Sequence, residues 1–175
     1  MNPNRVAGCV LPLLMVSLSA CAGVSQSVSG ALIRAHTVVF VVTTATVVAC
    51  VVLHYEILSW LSRLMRVIHM PPRRRILLLI FSILAAHVIE IWIYGAGFFG
   101  LTLDPSHGQL VSQHPMGILD YVYYSAVCFT TLGLGDIAPV GPIRFMTGSE
   151  ALNGFVLITW SGSFTFVEMQ RFWKD

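Results

Sequence analysis

Three apolar runs, residues 37–58, 76–98 and 145–167, dictate what this chain of 175 residues can become. Each exceeds the ~20 residues that a helix needs to cross a hydrocarbon core of ~30 Å, so three membrane-spanning helices are expected. Only 10% of the residues are charged, against ~25% in an average soluble domain, which excludes an ordinary cytosolic protein. The first run holds "VVTTATVVACVV", whose β-branched residues would suggest a strand in water. In lipid a lone strand leaves its backbone groups unpaired, so helix wins.

The basic residues orient these spans, because Lys and Arg accumulate on the cytoplasmic side. Arg63, Arg66, Arg73, Arg74 and Arg75 lie between the first two runs, whereas residues 100–119 contain no Lys or Arg. The Arg-rich loop is therefore expected inside, the 100–119 loop outside, and the C-terminus, with Arg171 and Lys174, in the cytoplasm. The expected location is the cell (inner) membrane, as a multi-pass protein. Three arginines directly before a span read as a topological anchor rather than a nucleic-acid patch. The "MPPRRR" run ends one helix and opens the next, since proline lacks an N–H and suits a first helical turn.

Residues 1–29 form a separate N-terminal segment with three open readings. One early Arg, an apolar run and small residues before Cys21 have the layout of a signal peptide. "LSAC" has the form of a lipobox that would place a lipid on Cys21. A fourth spanning helix is the third reading, and "SQSVSG" then serves as a linker. The cysteines, Cys9, Cys21, Cys50 and Cys128, show no metal-ligand spacing, and the last two read as small buried hydrophobes.

From Asp120 to Thr130 the sequence is apolar and aromatic for only 11 residues, about 16 Å as a helix, or half a bilayer. Such a helix must enter the membrane and turn back. Residues 131–136 follow with two alternating glycines, which take positive φ at little steric cost and can aim successive carbonyls to one side. The C-terminal end of the short helix adds negative partial charge at the same place. Dehydrated monovalent cations suit such a site.

"TTLGLGD", Thr130 to Asp136, closely resembles the selectivity filter of the potassium channel pore-domain family, the two-transmembrane P-loop channels of bacterial type, usually written T-T-V-G-Y-G-D. Similar "TTLGLGD" variants occur in two-pore-domain members. Tyr123, Tyr124 and Ser125 match the aromatic pair and polar residue of the family's pore helix, Pro139 falls three residues after the filter aspartate, and Arg144 and Gly154 match the basic residue at the outer end of its inner helix and its glycine hinge. The resemblance implies an all-α membrane protein with a re-entrant pore helix and filter loop over residues 120–175, assembled as a homotetramer. It implies that Thr131 coordinates K+ through hydroxyl and carbonyl, and that Leu132, Gly133 and Leu134 do so through carbonyls. Thr130, Gly135, Asp136, Tyr123 and Tyr124 would support the filter. Leu134 departs from the usual tyrosine, Tyr123 and Tyr124 replace tryptophans, and Val127 stands where some members carry a buried acid.

On the third run Gly154, Ile158, Ser161 and Thr165 lie at helical spacing and either line an inner cavity or provide small-residue packing. Glu90 and Glu150 sit within apolar runs, which makes them functional candidates. His87 precedes Glu90 by three residues and is expected to bond it. A metal site of His87 with both glutamates and a set of hydrogen-bonded structural groups are both open. No arginine ladder suggests a voltage sensor, and no nucleophile, base and oxyanion set suggests an enzyme. The expected function is a potassium channel subunit with K+ as permeant ion and no cofactor. Its rivals are a nonselective cation channel of the same fold and a non-conducting, lipoprotein-like assembly protein.

Overall fold

The computed structural model describes residues 3–172, with side chains over residues 30–71 and 73–171. Four α-helices carry the fold: α1 (Pro3–Val67), α2 (Pro72–Thr102), α3 (Ile118–Phe129) and α4 (Arg144–Phe172). α1 passes through residues 25–30 without a break, where the sequence suggested a linker. Serine and glycine each cost under ~1 kcal/mol in a helix, too little to stop one flanked by strong apolar turns. Several threonines of α1 satisfy their hydroxyls within the helix, whereas the Thr43 hydroxyl is buried without a partner. The hydroxyls of Thr37, Thr44 and Thr46 donate to the carbonyls of Ile33, Phe40 and Val42 at 2.8–2.9 Å.

α1 ends just before the proline pair, and α2 starts with Pro72 in its first turn. The Arg75 guanidinium donates back to the Ile68 carbonyl and closes this corner. Among the described residues, two helical segments are long and apolar enough to cross a membrane, Gly30–Val67 and Arg73–Thr102. α4 has the length, at 29 residues, but Glu150, Asn153 and its Ser and Thr residues dilute its apolar character. The third expected span therefore differs in kind from the other two.

The 100–119 loop is more ordered than its turn signals suggested. Asp104 accepts the Ser106 N–H at 2.9 Å and caps a 3₁₀ turn, Pro105–His107. Strand β1 (Gln109–Ser112) then pairs antiparallel with β2 (Ile137–Val140), in the register Gln109↔Val140 to Ser112↔Ile137.

The core joins all four helices. Tyr94, Phe98, Phe129, Ile143, Met146 and Leu157 are fully enclosed, and the Phe98 and Tyr124 rings meet edge to face at 5.0 Å. A second cluster, Leu58, Leu61, Met65, Leu79 and Ile83, holds the other end of α1 against α2. Phe98→Ala is expected to cost about 3–5 kcal/mol. A lowered thermal unfolding midpoint of the purified protein in detergent reads this out. Phe81→Ala, at a ring left 65% exposed, should shift the midpoint far less.

Candidate functional site

Residues 130–136 leave the C-terminal end of α3 and lead into β2. α3 begins where the Asp120 carboxylate accepts the Gly117 N–H at 2.6 Å, an acid in the first turn that suits the helix dipole. Its other end closes with two backbone bonds. Thr131 N–H donates to the Cys128 carbonyl at 2.9 Å, and Leu132 N–H to the Val127 carbonyl at 3.0 Å. This is the bond pair of a Schellman cap, which needs a left-handed residue directly after the cap position. Thr131 takes that role with φ 58°, a conformation rare for a β-branched side chain.

Gly133 follows at φ 60° and Gly135 at φ 80°, and neither Leu132 nor Leu134 joins them at positive φ. Handedness therefore alternates over five residues, which turns successive peptide groups the same way instead of alternating them as in a strand. The sequence pointed to the two glycines as left-handed. Thr131 was not legible, because only the cap geometry requires it. The whole 130–136 segment is exposed in the single chain, with Leu132 and Leu134 at 63% and 58%.

The tyrosine pair divides its work. Tyr123 donates to the Asp136 carboxylate at 2.7 Å, tying the far end of the segment back to α3. That hydrogen bond holds the Tyr123 phenol above its ordinary pKa. The Tyr124 hydroxyl instead meets Thr147 on α4 at 2.9 Å.

α4 supports α3 from behind. A Cβ on Gly154 would lie 2.1 Å from the Phe129 carbonyl oxygen, so only glycine lets the last turn of α3 rest on α4. α4 continues as one helix through this point, and Gly154 is a packing position here rather than a bend. Ser125 Oγ lies 2.5 Å from Glu150 Oε1 and 2.8 Å from the Ile91 carbonyl. A single hydroxyl proton serves one of these two acceptors. A carboxylic acid at Glu150 donates to Ser125 and resolves both contacts, whereas a carboxylate leaves one unmade. The second Glu150 oxygen is buried without a partner, which a full negative charge would make far costlier.

The other polar cluster differs from the one suggested by spacing along α2. Glu90 bonds His87 through Nδ1 at 2.9 Å and also His54 Nδ1, on α1, at 2.8 Å. Ser161 Oγ lies 3.2 Å from Nε2 of each histidine. Glu150 does not belong to this group; the metal-ligating residue types that converge here are His54, His87 and Glu90. His54 escaped notice because its partner is 36 residues away, although an ionisable residue inside an apolar run was itself a signal. Ser161 is buried between the imidazoles, so of the four residues at helical spacing on α4 only Ile158 is exposed and Thr165 is half-buried. Cys50 and Cys128 are free and buried.

A family model described as ion channel matches residues 77–171, more than half of the chain. No curated protein and no solved structure matches it. The matched region holds most of α2, all of α3, residues 130–136 and nearly all of α4, and it leaves His54 outside.

Two substitutions check the support of α3. Gly154→Ala must push α3 off α4 and should lower the unfolding midpoint by an amount typical of overpacking, about 1–3 kcal/mol. Glu150→Gln keeps a donor toward Ser125 and should stay within ~1 kcal/mol of the wild-type protein, while Glu150→Ala should cost about 2–4 kcal/mol. Equal losses for Gln and Ala in denaturation experiments would contradict the protonated assignment.

Proposed function

We propose, since this chain belongs to the ion channel family, that it is a potassium-selective channel subunit that passes K+ passively through a pore shared by four copies. The observation that carries this reading is the alternation of left-handed residues at Thr131, Gly133 and Gly135 at the end of a helix too short to cross a bilayer. Carbonyls turned to one side can replace the hydration shell of a dehydrated cation. In this reading Thr131 contributes its hydroxyl and carbonyl, and Leu132, Gly133 and Leu134 contribute carbonyls. Thr130 and Gly135 shape the two ends of the filter, and Asp136, held by Tyr123, sits at the outer mouth.

One such segment cannot enclose an ion path. Four copies around an axis close it, and cyclic symmetry satisfies the resulting interface. The exposure of residues 130–136 in the single chain supports this, because copies around the axis would cover the leucine side chains while the carbonyls face inward. α3 then acts as a re-entrant pore helix, its C-terminal partial charge aimed at the ions, and α4 as the inner helix. With the Arg-rich corner in the cytoplasm, the β1–β2 ladder lies outside and the C-terminus inside the cell membrane.

A second reading, nonselective cation conduction, is favoured by Leu134. It removes the hydroxyl that the family's usual tyrosine would offer to its surroundings, and the Tyr124 hydroxyl is engaged by Thr147 instead. Reconstitution in liposomes decides between them. Flux of K+ with a reversal potential that follows the K+ gradient is expected, lost in Gly133→Ala. Equal permeation of Na+ would establish the second reading, and absent flux with a non-tetrameric mass would leave only a non-conducting assembly role.

A further inference from the structure

α1, α2 and α4 are joined by a closed polar ring. The two oxygens of Glu90 face Nδ1 of His54 and Nδ1 of His87, and Ser161 Oγ faces both Nε2 atoms. A carboxylate only accepts, so each Nδ1 carries its hydrogen and each neutral imidazole presents an Nε2 lone pair to Ser161. Two lone pairs thus converge on a hydroxyl that owns one proton. With both rings neutral, one nitrogen is left without a donor at a site where His54, Glu90 and Ser161 are all buried, and a cation, either a proton or a metal ion, completes the ring.

We propose that His54 Nε2, His87 Nε2 and Ser161 Oγ form a binding site for one transition-metal dication of the Zn2+ class, with Glu90 orienting both imidazoles. Tetrahedral zinc with bonds of ~2.0–2.1 Å sets its ligands ~3.3–3.4 Å apart. Both Nε2–Oγ separations are 3.2 Å, close to that spacing. A carboxylate that accepts the remaining N–H of a ligating histidine is the usual partner of such sites, and here one carboxylate serves two histidines. Glu90 also supplies negative charge against the ion. A groove of about 270 Å³ reaches the site, lined among others by Leu84, His87, Ile158, Ser161, Gly162 and Thr165. It provides an entry path and room for water as fourth ligand. Imidazole nitrogen selects this class of ion over K+ and Mg2+, which prefer oxygen. The ion would join one residue from each of α1, α2 and α4, and this holds whether or not the chain conducts.

The full chain, purified in detergent and stripped with chelator, is titrated with Zn2+ by calorimetry. One ion per chain is expected, with X-ray absorption of the wild-type Zn2+ complex showing two imidazoles at ~2.0 Å. His54→Gln or His87→Gln should weaken binding at least ~100-fold, and Glu90→Gln about 10–100-fold. Replacing the exposed His36, His69 and His114 should leave it unchanged. Absence of saturable binding overturns the assignment, and the ring then holds a proton instead. Binding that persists in both histidine variants overturns it too. So does a wild-type spectrum with fewer than two imidazoles, a readout that requires no variant to fold.

Discussion

The end of α3 is the constraint on which the rest depends. A twelve-residue helix that stops within an apolar protein must satisfy its last carbonyls locally, because unpaired backbone groups are costly there. The N–H groups of Thr131 and Leu132 do this for Cys128 and Val127, and the bond geometry forces Thr131 into the left-handed region. Handedness then alternates through Gly133 and Gly135. The helix cap and the segment of alternating handedness are thus one continuous structure, and the unusual residue at its junction is explained by hydrogen bonding rather than by strain stored for function. α4 completes the support, with Gly154 under the final turn and Glu150 against Ser125.

Features carried by a few adjacent residues were legible in the sequence. The length of α3, the glycine alternation, the proline start of α2 and the pairing of His87 with Glu90 each follow from spacing along one segment. Features that depend on separate segments were not. His54 joins Glu90 only because α1 and α2 pack side by side, and no periodicity reports that. The β1–β2 ladder was hidden for the same reason, since Gln109–Ser112 is short and reads as loop until Ile137–Val140 lies beside it. Gly154 illustrates a third case. A glycine between helical residues suggests a bend, yet the backbone oxygen of another helix accounts for it without one.

Two sets of polar groups inside this helix bundle follow different logic. Ser125 and Glu150 brace α3 against α4, with Asn153 donating to Tyr94 nearby at 3.0 Å. The ring of His54, Glu90, His87 and Ser161 joins α1 and α2 to the same helix, and His87 also lies beside Phe129 in the last turn of α3, ring centroids 5.6 Å apart. α4 therefore takes part in both sets, through Glu150 and Asn153 in the first and Ser161 in the second. Its dilution with Glu, Asn and Ser, which sets it apart from the two strongly apolar segments, reflects this central position.

The antiparallel ladder fixes how the end of the molecule that carries β1 and β2 can move. Ile137 directly follows Asp136, and the same strand is stitched to the stretch that leaves α2. Any displacement of that stretch is handed on to the residues beside Asp136 by hydrogen bonds a few ångströms long, so the end of the 130–136 segment and the tip of α2 must travel together like a hinged lip.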